Sequence, residues 1–315
     1  MQGHFHFQVL STPFLLWSEG PVSPIFEEFE TMRPLLAVDV DDREGRRRIL
    51  DNEDYTRRFE KEWYDKRIVS TFQRNMDVMF IDECPVPEWC GGNGGDVFRR
   101  LRDYHSGNAN AARSDTEREA FDAAPNPVSE PGFFLHLMRH YDRDLRWHMI
   151  LGNDRPEVLE KLLFDKNTLP GFNDSGAHLI NLAFFDGNLL TLKMAQKRSL
   201  ERVAYAVKRL TRDPAEFFGL DVGRLDLGAQ ADITVINPDA LSHYDTDANR
   251  QMVYRDILGD SQLVNRSDGV VDTVYVAGTK VWDRDTVTPE LGRRKLGRAL
   301  TYTDRATPAE RELPN

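Results

Sequence analysis

The sequence is poor in the features that mark several large classes of protein. Two cysteines, Cys84 and Cys90, flank Pro-Val-Pro-Glu-Trp in a chain of 315 residues. They allow one disulfide. They exclude a cysteine framework, and they are too few for a zinc site built on sulfur. No apolar run approaches the roughly 20 residues that span a bilayer. The opening Met1-Gln-Gly-His-Phe-His has no basic stretch followed by an apolar one, so no secretory signal is expected and the cytoplasm is the expected location. Basic excess is missing too. The net charge is -11, which argues against nucleic acid or an anionic membrane as partner. Arg46-Arg-Arg48 and Arg293-Arg-Lys295 have acids close by and read as solvated helix faces.

Familiar catalytic signatures are also incomplete. Gly91-Gly-Asn-Gly-Gly95 lacks the Lys-Ser/Thr of a phosphate loop and the spacing of a dinucleotide fingerprint, and reads as a linker or lid. His136-Leu-Met-Arg-His140 places two histidines on one helical face, but without the glutamate of a metalloprotease helix. A packed or solvated pair is expected there. His148, in the apolar run Trp147–Leu151, is either a barrel-facing group or a satisfied core histidine. Asp82 and Glu83, after Asp77-Val-Met-Phe-Ile, fall at a strand end, where either could face a site, and a surface loop is the expectation.

What remains is a chain that is 40% hydrophobic and 30% charged, able to bury a core under a very wet surface. Phe5 to Leu16 contains an apolar strand broken by Pro13. Charge-rich helices fill 41–67, with Ile49, Phe59 and Trp63 as their apolar points. The stretch 85–126 is the least regular, with a loose helix over 108–124. Helices follow at 131–141, from an N-cap at Asp154 in Asp154-Arg-Pro-Glu to about Phe164, and over 188–197, 200–210 and 213–218, the last opened by Pro214 and closed by Gly219. From Gly223 the pattern turns to short β runs, with a strand over 232–237 and a hairpin over 271–282. A polar tail ends the chain.

The stretch that organises the rest is Leu169-Pro-Gly-Phe-Asn-Asp-Ser-Gly-Ala-His-Leu179. A carboxylate, Asp174, follows a short apolar run and precedes a small-residue turn. At the end of a barrel strand that is a place for chemistry. On its residues alone an ordinary Asx turn is the expected reading, because one carboxylate beside glycine is a weak signal. Gly171-Phe-Asn-Asp-Ser-Gly-Ala-His178 resembles the segment carrying the metal-site aspartate in the N-acyl-D-amino-acid deacylase branch of the amidohydrolase superfamily. Asn153–Leu159, Ala206–Ala215, Phe218-Gly-Leu220, Gly223-x-Leu-x-x-Gly-x-x-Ala-Asp232 and Val276–Val281 are similar to the same branch.

The resemblance implies an α/β fold: the last strand–helix units of a (β/α)8 barrel over 1–219, interrupted by an irregular insertion near 85–126, and a small β-sandwich-type domain with a tail over 220–315. It implies hydrolysis of a C–N amide bond of an N-acyl-D-amino acid or related amide. Zinc would lower the pKa of bound water, and Asp174 would be the catalytic carboxylate and a possible metal ligand. Ser175 and His178 would line the substrate pocket. His4-Phe-His6 has the form of a His-x-His metal pair, but its surroundings do not match that motif, and a frayed terminus is the expectation. The family's earlier histidine ligands have no counterpart here, and no segment resembles the first half of a barrel, which takes about 250 residues when complete. Two readings follow: a metal-dependent amidohydrolase-type chain that is incomplete, or a non-catalytic subunit or remnant that needs an N-terminal partner or self-association. A small-molecule binding module is a third.

Overall fold

The structure is a computed structural model that describes residues 6–68, 70, 73–171, 180 and 186–301. It is mixed α/β and divides into two compact units: residues 14–152, and the stretches flanking them, 1–13 and 153–315. These boundaries differ from the division after residue 219 read from the sequence. No described helix is long and apolar enough to cross a membrane.

The central unit is built on a three-stranded antiparallel sheet. Strand Arg146–Gly152 lies between Phe14–Glu19 and Met79–Glu83. Period-two alternation gives the sheet one apolar face, where Met79, Ile81, Trp147 and Met149 are buried. Helices Glu53–Tyr64 and Glu130–Tyr141 supply the other half of the core. The Phe134 ring stacks on Phe59 at 6.0 Å and meets the edge of Trp147 at 6.2 Å. The first of these helices starts where Asn52 accepts from the backbone N–H groups of Asp54 and Tyr55, and the second where Ser129 accepts from Gly132.

Three features differ from the sequence reading. Arg46 is not on a solvated face. It is 2% exposed, and its guanidinium makes a two-pronged bond to Asp142 at 2.7 Å on each arm, with Nη1 donating to the carbonyls of Asp39 and Val40. Each of its three nitrogens has a partner, which is what makes a buried cation tolerable. Stretch 85–126 is more regular than expected, with helices at Gly94–His105 and Asp115–Asp122 capped by Asn93 and Ser114. Gly94 and Gly95 open the first of them as buried residues, not as a lid. A Cβ on Gly95 would stand 2.0 Å from Asp77 Oδ1, so the glycine permits close packing. Gly20 is similarly confined: its φ is +50°, and a Cβ there would lie 2.1 Å from the Asp142 carbonyl oxygen.

In the flanking unit, strands Phe7–Val9 and Thr168–Pro170 pair in parallel. Helices Pro156–Leu163, Gly187–Gln196, Leu200–Leu210 and Arg212–Phe218 accompany them, the first entered from Arg155 and not from Asp154. Gly219 closes the last at φ +67°, a left-handed cap that favours glycine. Val9, Leu159, Leu163, Phe164, Ala195 and Ala206 share one core. Arg209, 1% exposed, donates to the Leu163 carbonyl and the Thr168 hydroxyl, so a helix end and a strand are held by one side chain. The expected strands follow, in a four-stranded antiparallel sheet ordered Thr286–Val287, Thr279–Asp283, Val271–Val276, Ile233–Ile236. A separate ribbon joins Arg250–Arg255 to Asp260–Asn265.

Two measurements check the central unit. Arg46→Ala should lower its unfolding free energy by about 3 kcal/mol, because buried Asp142 loses its two-pronged partner and keeps only Arg43, whose Nε lies 4.0 Å away. The neighbouring Arg47→Ala, at an exposed site, should stay within about 0.5 kcal/mol. His136 is 4% exposed, and burial, with the His140 and Arg139 charges adding to it, lowers its pKa from 6.5 to about 4. The folded form then holds it neutral while the unfolded chain protonates. Its contribution is complete above pH 6.5 and is lost as the pH falls toward 4. The urea midpoint of the wild type should fall more steeply across that window than that of His136→Leu; parallel curves would contradict the assignment.

Candidate functional site

Asp174, Ser175, His178 and His4 lie outside the described residues. The structure does describe the strand that leads to them. Thr168–Pro170 is paired in register with Phe7–Val9, and Gly171, at φ +125°, donates its N–H to the Val9 carbonyl at 3.1 Å. The parallel ladder thus runs to Gly171, three residues before Asp174. On the other side of the pair, Asn153, at φ +59°, donates its side-chain amide to the Thr12 carbonyl at 3.2 Å. This bond ties the start of the 153–171 segment to the chain just beyond Phe7–Val9.

Of the expected metal-site residues Asp174, His4 and His6, His6 is described. Its ring meets the edge of Phe217 at 4.9 Å, and its Nδ1 is buried without a hydrogen-bond partner among the described residues. An orphaned imidazole nitrogen is a usable donor to a metal. Zinc, however, takes about three protein ligands and an open position in a catalytic site. Among the described residues no group of three or more His, Cys, Asp or Glu is placed to hold a metal ion. The described donor set therefore does not fit zinc by itself.

The central unit assembles a pair that the sequence reading treated as separate residues. His148 Nδ1 lies 2.9 and 2.8 Å from the two oxygens of Asp82. The strand register places Phe80 and Trp17 opposite His148, one on each neighbouring strand. The Phe80 ring stacks on the imidazole at 5.2 Å, and Trp17 lies at 5.7 Å. Both polar side chains are partly exposed, at 18% and 26%. A carboxylate on Nδ1 fixes the tautomer that carries its proton there and leaves Nε2 as the basic nitrogen. Such a histidine can accept a proton or bind a metal through Nε2. Alternation could have placed His148 and Asp82 on strands, but not in register. Nitrogen-15 NMR near pH 8 should show His148 as the Nδ1–H tautomer, and Asp82→Ala should redistribute the proton. An Nε2–H signal in the wild type would contradict the pairing.

A second polar centre lies in the flanking unit. Asp186 is 4% exposed and accepts from the hydroxyls of Tyr244 and Thr246 at 3.0 and 2.7 Å. Burial beside this carboxylate pushes the Tyr244 phenol well above its usual range. The three residues join the start of helix Gly187–Gln196 to the loop before strand Arg250–Arg255.

Comparison with known proteins adds what the geometry does not. Uncharacterized proteins of Mycobacterium bovis and of two strains of Mycobacterium tuberculosis are 31% identical to this chain over 285 residues, which is 88% of it and 42% of each of them. The chain thus spans about two fifths of the length of these curated relatives. Solved structures of D-aminoacylase, among them a mutant in complex with copper chloride and one concerned with a binuclear metal center, are 18% and 19% identical. They cover 71% of this chain and 37% of their own, and the TM-score of 0.33 is too low to establish a shared fold. Residues 164–281, a stretch that includes Asp174, match the amidohydrolase family.

Proposed function

We propose that this chain is the C-terminal part of an amidohydrolase-type hydrolase that cleaves the C–N amide bond of an N-acyl-D-amino acid or a related compound. The observation that carries this reading is the family match over 164–281, which takes in Asp174 and its Asp-Ser-Gly-Ala-His context. The parallel pair Phe7–Val9 and Thr168–Pro170 supports it, because in barrel enzymes chemistry sits where parallel strands end. In this reading residues 6–13 and 153–219 belong to the barrel-type part, 14–152 are inserted into it, and 220–301 form the small β domain. The location is cytoplasmic, and neither nucleic acid nor membrane is a partner.

Asp174 is the catalytic carboxylate in this reading. It takes a proton from the attacking water and returns it to the leaving amine. Ser175 and His178 line the pocket around the acyl amino acid. An isolated aspartate, with a pKa of about 3.9, is a poor base toward bulk water near neutral pH. In the family a bound zinc supplies that water's acidity. The sequence has no counterpart of the family's earlier histidine segments, so we place the missing ligands on a further, N-terminal half, in the same polypeptide or as a separate subunit.

The strand pair also favours the second reading, a non-catalytic subunit or remnant. Among the described residues no third strand joins the pair. Parallel sheets are otherwise found with several strands and both faces covered, and an open edge invites a partner strand. Either way, the purified chain alone should hydrolyse N-acetyl-D-amino acids little or no faster than buffer. Co-expression with an N-terminal half from a relative should restore turnover, and Asp174→Asn in that complex should lower it by roughly 100-fold or more. A complex that forms but stays inactive would favour the non-catalytic reading. Robust hydrolysis by the lone chain would overturn both.

A further inference from the structure

The turn that follows strand Met79–Glu83 brings the chain's two thiols together. The backbone folds straight back on the strand: Ile81 N–H donates to Gly92 O at 2.9 Å, and Gly91 N–H donates to Ile81 O at 2.8 Å. Cys84 and Cys90 lie on the two arms of this closure. The Cys84 thiol donates to the Val86 carbonyl at 3.0 Å. The Cys90 sulfur stands 3.9 Å from that same oxygen and 3.9 Å from the Cys84 carbonyl. Both sulfurs thus face one oxygen, the Val86 carbonyl. Trp89, buried within the turn, donates its indole N–H to the fully buried Glu117 at 2.8 Å. The turn is therefore held in this shape by contacts that do not involve sulfur.

Access to the pair is uneven. Cys90 is exposed and Cys84 half-buried. Cys84 also lines a cavity of about 450 Å3 with Glu19, Glu83, Pro85, Arg143 and Arg146, wide enough for a small reagent. We propose that Cys84 and Cys90 are a redox modification site, a dithiol that hydrogen peroxide or a small disulfide such as oxidised glutathione converts to an intramolecular disulfide.

The order of events follows from the surroundings of each sulfur. Burial pushes the Cys84 thiol up to about 12, so it stays protonated at neutral pH. Cys90 is the sulfur that meets the oxidant. With peroxide, the Cys90 thiolate attacks one oxygen, the O–O bond breaks, and Cys90 becomes a sulfenic acid as the first water leaves. The Cys84 sulfur then displaces the sulfenic oxygen, the S–S bond forms, and the Cys84 proton departs with that oxygen as the second water. Two electrons pass from the two sulfurs to one peroxide. With oxidised glutathione, Cys90 first forms a mixed disulfide and releases one glutathione. Cys84 resolves it and releases the second.

The test uses the whole chain. The native, reduced protein is incubated with oxidised glutathione, trapped with N-ethylmaleimide, and analysed by intact mass and peptide mapping. The expected product is lighter by two hydrogen atoms, contains one cross-link between Cys84 and Cys90, and returns to the dithiol with dithiothreitol. Cys84→Ser should instead accumulate glutathione on Cys90, and Cys90→Ser should remain unmodified over the same time. A stable glutathione adduct on wild-type Cys90, a dimer joined through Cys90, or two thiols that stay free would each overturn the proposal.

Discussion

Strand Phe7–Val9 is held in parallel against Thr168–Pro170, and the candidate site depends on that ladder. Three residues on each side cannot sustain a parallel sheet. The pair holds because the rest of the flanking unit acts on it. Arg209 bonds Thr168 from helix Leu200–Leu210, Asn153 bonds the carbonyls of Leu10 and Thr12, and Val9 enters a core with Leu159, Leu163 and Phe164. Fixing this ladder fixes where the chain leaves the strand at Gly171, and so where the segment that carries Asp174 begins. One edge of each strand remains open among the described residues. The same constraint therefore organises the site and leaves it asking for further strands.

The central unit has a core of its own. Its sheet has a helical layer on one face, and its buried charge is closed by the Arg46–Asp142 pair, to which Gly20 packs within the space a Cβ would occupy. The opposite face carries the polar pair His148–Asp82 between Phe80 and Trp17. The stretches that flank this unit, 1–13 and 153–315, form the second compact unit.

Legibility in the sequence followed the range of the forces involved. Local signals read well. Pro214 lies in the first turn of helix Arg212–Phe218 and Gly219 closes it, and the β runs at 233–236, 271–276 and 279–283 fall where alternation put them. Pairings across long separations did not. Arg46 looked like one of three solvated arginines because Asp142 lies 96 residues away. His148 and Asp82, 66 residues apart, meet only through strand register. Gly94 and Gly95 suggested a flexible loop because the atoms that demand glycine, on Met76 and Asp77, come from a preceding 3-10 turn. The cap at Asn93 was present in the sequence and would have identified the helix. Asp174 was singled out by resemblance, and its surroundings lie outside the described residues.

The central claim is that this chain carries the carboxylate of an amidohydrolase-type site whose remaining metal ligands belong to a further N-terminal portion. Zinc stoichiometry tests it most directly. The chain alone, after reconstitution with zinc and gel filtration, should retain far less than one equivalent. The chain co-purified with an N-terminal half should hold zinc stoichiometrically, and Asp174→Ala should weaken that binding. One full equivalent of zinc bound tightly by the chain alone would contradict the account, because it would require a complete ligand set within these residues.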